Sequence, residues 1–158
     1  AAAAGRPDVR PKGAHTVPMN IVIIDGHGGR MGKMIVEQLK KRDPALQLAA
    51  VGTNSIATAT MVKAGADVGA TGENPVAVAC RTADIIVGPI GIVIADSLHG
   101  EITASMACAV GRSPALKLLI PVNRCNHQIV GANDLPMSEY IRLAVDAVIE
   151  AVDRHRSV

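Results

Sequence analysis

Four glycines within seven residues, Gly26, Gly28, Gly29 and Gly32, carry the strongest chemical signal in the chain. They follow an apolar run, Ile21 to Ile24, and then Asp25, and they lead into a helical pattern. Glycine lets a ligand touch bare backbone. The start of a helix adds unpaired N–H groups and a partial positive charge. The chemistry that follows is phosphate binding, with Gly26, His27, Gly28, Gly29, Arg30, Met31 and Gly32 as the cofactor-binding candidates. The dinucleotide spacing G-x-G-x-x-G fails at Met31, whereas G-x-x-G-x-x-G fits at Gly26, Gly29 and Gly32. The competing reading is a turn whose glycines only pack helix against strand.

Ligands of open α/β sheets sit outside the carboxyl ends of the strands, so the residues after each apolar run are the next candidates. Thr53, Asn54 and Ser55 follow the second run, and Gly88, Pro89 and Gly91 follow a later one; all six count as cofactor-binding candidates. Thr71, Gly72, Glu73 and Asn74, together with Asn123, Arg124 and Asn126, are candidates for substrate contact. Arg124 has the planar fork that matches phosphate or carboxylate, and Asp96 could serve as acid or base; these two are the catalytic candidates. Gly52, Thr53 and Asn54 stand where an NAD site carries Asp or Glu, and no Arg is near for a 2′-phosphate. That weakens NAD as the ligand and leaves NADP, a mononucleotide or a sugar phosphate open. Cys125 and His127 are two apart on a loop, which fits a buried structural thiol better than a nucleophile with its base. His99, Cys125 and His127 lack metal-ligand spacing, and no metal is expected.

Positioning these groups requires alternating strands and helices. The pattern predicts strands at Leu46 to Val51, Asp84 to Val87 and Lys117 to Val122, and a short, edge-type strand at Gln128 to Gly131. Helices are expected from about Arg30 to Arg42, Ile56 to Ala64, Thr103 to Val110 and Met137 to Asp153, with a short one at Ile92 to Leu98. Residues 65 to 75 read as a glycine-rich loop. Residues 75 to 80 fit a helix after Asn74-Pro75 or a strand through Val76 and Val78. The fold class expected is α/β, a mostly parallel, doubly wound sheet with helices on both faces.

A chain of 158 residues supports one domain with a proper core. The expected division is a disordered extension over 1–18, the domain over 19–153 and a tail over 154–158. One Tyr, no Phe and no Trp leave the core to Val, Ile, Leu, Ala and Met. This composition suits parallel strands covered on both faces and disfavours single-stranded nucleic-acid binding, which needs stacking platforms. The net charge of +2 belongs to residues 1–18, with Arg6, Arg10, Lys12 and Asp8, so the remainder is neutral. Three cysteines without paired spacing point to reduced thiols in a cytoplasm. No apolar run reaches membrane-spanning length. The aliphatic surface of so small a domain predicts a homo-oligomer, with the last helix or the edge strand at the contact.

Gly28-Gly29-Arg30-Met31-Gly32 resembles the nucleotide loop of dihydrodipicolinate reductases, a local likeness. A broader resemblance spans roughly residues 19 to 152. It rests on Ile24-Asp25-Gly26-x-Gly28-Gly29, Val51 to Ala59, Gly69 to Asn74, Gly88 to Leu98 and Ile120 to Asn126. On these stretches the chain resembles a small bacterial family catalogued as a domain of unknown function. That resemblance implies a Rossmann-like fold and no established activity. The chain departs from the family at His27 and Arg30, which bears on ligand fit. The reading is a nucleotide- or dinucleotide-binding protein, with NADP or NAD as the candidate cofactor. The rival readings are a non-catalytic sensor or assembly subunit for a phosphorylated metabolite, and a scaffold without a ligand.

Overall fold

The computed structural model describes residues 17–122 and 126–158. The expectations for 1–16 and for Asn123, Arg124 and Cys125 fall outside the described residues. Five parallel strands stand in the order β3-β2-β1-β4-β5. They are β1 (Ile21–Asp25), β2 (Leu48–Gly52), β3 (Val68–Thr71), β4 (Ile85–Pro89) and β5 (Leu116–Ile120). The helices are α1 (Arg30–Arg42), α2 (Ser55–Lys63), α3 (Glu73–Thr82), α4 (Ala104–Arg112) and α5 (Met137–Arg156). This is the doubly wound α/β arrangement expected, consistent with a Rossmann-like fold. The chain winds outward from β1 to β3, crosses back and continues through β4 to β5, so the winding reverses between β1 and β4.

Burial explains the layers. Every residue of β1 is buried, and register pairs Ile21 to Asp25 with Leu48 to Gly52 on one side and Ile21 to Ile23 with Ile85 to Val87 on the other. Alternate residues feed two cores. Ile21, Ile23, Leu48, Ile85 and Val87 join Ile35 and Leu39 of α1, Met61 of α2 and Ile141, Val145 and Val148 of α5. Val22, Ile24, Val51 and Ile86 join Val76 and Cys80 of α3 and Met106 and Val110 of α4. Each such side chain, fully buried, contributes about 1.5 to 3 kcal/mol. Ion pairs tie the rims: Arg42 to Asp146 and Arg156 to Asp43, each at 2.8 Å, link α1 and its end to α5.

Several expected elements differ. Residues 68–71 form β3 rather than loop; the strand pairs Val68 to Thr71 with Ala49 to Gly52. Residues 73–82 are helical, because Pro75 falls in the first turn, where its missing N–H costs no bond. Val76 and Cys80, one turn apart, are the buried pair. Gln128 to Gly131 is not a strand: it has no ladder partner, and Val130 is 94% exposed. Ile92 to Leu98 is not one helix; a 3-10 turn covers Ile90–Val93 and bends follow. α4 runs through Gly111 to Arg112, and α5 runs on to Arg156, taking in most of the expected tail. No described helix is long and apolar enough to cross a membrane.

Candidate functional site

The turn from β1 into α1 is built by Asp25. Its carboxylate, 6% exposed, accepts the backbone N–H of Gly26 at 2.8 Å and of Gly32 at 2.7 Å. Burial pushes the Asp25 carboxyl above the usual carboxylate range, although both amides and His27 favour its charge. Gly29 caps α1 in left-handed conformation, φ 71°, and a Cβ there would meet the Ala57 backbone at 2.7 Å. At Gly32 a Cβ would strike the Met61 sulfur at 2.3 Å. These two glycines are therefore demanded by packing. Gly28 is different: a Cβ built on it meets nothing within 4 Å, and its φ is not left-handed. Among the described residues, the N–H groups of Gly28, Arg30 and Met31 have no acceptor.

A cleft of about 840 Å³ opens at the carboxyl ends of β1 and β4, where the winding reverses. Asp25, Gly26, His27, Gly28, Arg30 and Met31 line one wall, and Pro89, Ile90, Gly91, Ile94, Ser97, Leu98 and His99 another. Val122, His127 and the start of α5, Met137 and Ser138, complete it, with Met34 from α1. The His27 and His99 rings stack with centroids 5.3 Å apart. The Ser97 hydroxyl donates to the Gly91 carbonyl. His27, Asp96, Leu98 and His99 all hold left-handed φ of 50° to 64°, at about 1 kcal/mol or more each. Such backbone strain concentrates where a structure must hold a particular arrangement.

The other face of the same turn is closed by Glu101. Its Oε2 accepts the His27 N–H and the Thr53 hydroxyl, both at 2.7 Å, and its Oε1 accepts from Asn54 Nδ2 at 3.1 Å. Burial pushes the Glu101 carboxyl up, but the three donors outweigh it and hold the group below its ordinary range. Asn54 also donates to the His27 carbonyl at 2.9 Å and caps α2 through Ala57 N–H at 2.9 Å.

The sequence candidates thus divide. Gly26, His27, Gly28, Arg30, Met31, Pro89 and Gly91 meet at the cleft, with Gly29 and Gly32 packed behind them. Gly88 is buried in β4, against the Ile24 carbonyl. Thr53 and Asn54 hold Glu101 on the far side, and Ser55 is exposed at the start of α2. Thr71 bonds Thr58 at 2.6 Å, and Glu73 accepts from the Thr103 cap of α4. With Gly72 and Asn74, they sit at the β3 end and do not line the cleft. Asp96 is exposed outside the lining, as is Asn126. Asn123 and Arg124 lie outside the described residues. Missed in the sequence were Glu101 and the apolar wall of Met34, Ile94, Leu98, Val122 and Met137. The signal for Glu101 was its place in the connection after β4. Among the described residues, no group of three His, Cys, Asp or Glu could hold a metal.

Residues 20–153 match the model of the family described as a domain of unknown function (DUF3842), and the chain belongs to that family. No curated protein and no solved structure matches the chain.

Proposed function

We propose that this DUF3842 member binds a small phosphorylated ligand, a nucleotide or a phosphorylated metabolite, in the cleft between the ends of β1 and β4. One observation carries the reading: Gly28, Arg30 and Met31 line the cleft, and their backbone N–H groups have no acceptor among the described residues. Three amides at the head of a thirteen-residue helix make an anion seat. Arg30, His27, His99 and His127 bring side-chain donors to the same cleft, and α5 begins at it, adding a second helix N-terminus. The apolar wall, with Met31, Met34 and Met137, suits the uncharged body of such a ligand. NADP and NAD belong to this ligand class. The spectrum tests it: with one Tyr and no Trp the protein absorbs little near 280 nm, so a co-purifying nucleotide would dominate, and mass spectrometry of the released compound would name it. A melting temperature unmoved by millimolar phosphate, AMP and NADP would sink the reading.

A sensor or assembly subunit is favoured over turnover by the state of Ser97, whose hydroxyl is committed to the Gly91 carbonyl rather than to a histidine. Ligand-dependent association without turnover distinguishes it. Self-association belongs to the same reading. Ile56, Val62, Val68 and Val78 are 68%, 41%, 62% and 47% exposed on α2, β3 and α3, the elements at the β3 edge of the sheet. Light scattering that returns a monomer mass rejects it.

A further inference from the structure

Glu101 has no part in phosphate binding as just described and does not line the cleft, yet it presses on the glycine turn from beside the end of β2. A Cβ built on Gly26 would lie 2.5 Å from its Oε2 and 2.7 Å from the Thr53 hydroxyl. The carboxylate therefore rests on bare backbone between the end of β1 and the end of β2. In a doubly wound sheet that binds a dinucleotide, the pyrophosphate crosses this turn and the adenosine ribose lies over the end of the second strand. Here that ground is held by a side chain from the β4–α4 connection, anchored by Thr53 and Asn54. We propose that Glu101 is a plug: it shuts the path a dinucleotide would take and leaves the corner to phosphomonoesters entering from the β1–β4 cleft. The inference rests on the phosphate-binding reading above and narrows its ligand class, setting NAD and NADP outside it.

The same carboxylate is poorly placed to receive a ribose. Two neighbouring hydroxyls need two oxygens with free lone pairs. Oε2 already takes two donors, the His27 N–H and the Thr53 hydroxyl, and Oε1 takes one from Asn54. Charge adds to bulk. A second phosphate reaching for the His27 N–H would meet a carboxylate already bonded to it, and like charges at that distance repel strongly in a partly buried site.

The test is calorimetric titration of the full chain with inorganic phosphate, AMP and ADP-ribose, in wild type and Glu101→Ala, after thermal melts confirm folding. Wild type should bind AMP at least about tenfold more tightly than ADP-ribose, and the variant should gain about tenfold for ADP-ribose while AMP changes little. Equal wild-type affinity for the two, or a variant that loses ADP-ribose, overturns the plug and leaves the phosphate seat standing. If wild type binds none of the three, the seat and the plug fall together. Should the alanine variant not fold, Glu101→Ser removes both the bulk and the charge while keeping a small polar group; a gain in ADP-ribose supports the plug, and no gain overturns it.

Discussion

The glycine turn has two faces, and they are built on opposite terms. Toward β2 the polar groups pair with one another: Glu101 takes the His27 N–H, the Thr53 hydroxyl and the Asn54 amide, while Gly29 lies on the Ala57 backbone. Toward β4 the turn borders an open cleft, a Cβ on Gly28 would meet nothing within 4 Å, and three N–H groups lack acceptors among the described residues. One run of glycines thus serves packing on one side and exposure on the other. The difference teaches that a phosphate-loop pattern does not say which side of its strand is available.

The contrast breaks most visibly at Gly29. Gly29→Ala forces a side chain into left-handed backbone and onto Ala57, and should cost about 2 to 5 kcal/mol in urea melts. A loss under about 1 kcal/mol would mean the packed face yields. Asp25→Ala comes next, at about 2 to 4 kcal/mol, because the Gly26 and Gly32 amides lose their buried acceptor.

Acid titration separates the two carboxylates by sign. The folded value of Glu101 is depressed, so the stability it lends is full above its unfolded value, about 4.3, and is lost as pH falls through the lower folded one. Asp25 is raised, so its ionisation costs stability as pH climbs from about 3.9 through its higher folded value. Denaturant melts across this range should show Glu101→Gln removing the acid-side loss and leaving the opposite slope of Asp25. If the variant's profile overlays that of wild type, Glu101 does not hold its three donors. The smallest effect on stability sharpens the contrast from the open side: Gly28→Ala should shift it by no more than about 0.5 kcal/mol, yet weaken phosphate binding. A variant as unstable as Gly29→Ala would erase the distinction between the faces.

Local pattern made much of the fold legible. α1 spans the residues its periodicity and basic end predict, and α5 begins at Met137 as expected, with Ile141, Ala144, Val145, Val148 and Val152 buried. β3 was hidden because an edge strand of four exposed or half-buried residues, one of them Gly69, has no apolar run to announce it. The helix at Glu73–Thr82 was ambiguous because its buried face is only Val76 and Cys80. At the site, the glycine turn was readable because its partners are neighbours in sequence. Glu101 was not, since it meets His27 from 74 residues away and no local spacing encodes that encounter. Met34 and Met137 meet at the cleft only because α1 packs beside α5, an encounter no local spacing announces.

The scarcity of aromatics leaves a built-in optical probe. Tyr140, the lone strong chromophore, bonds the Asn133 carbonyl and sits one turn beyond Met137, which lines the cleft. Its emission therefore reports on the far wall alone, unblurred by any second fluorophore. Movement of α5 against the glycine turn becomes visible without a label, in the unaltered protein and in real time.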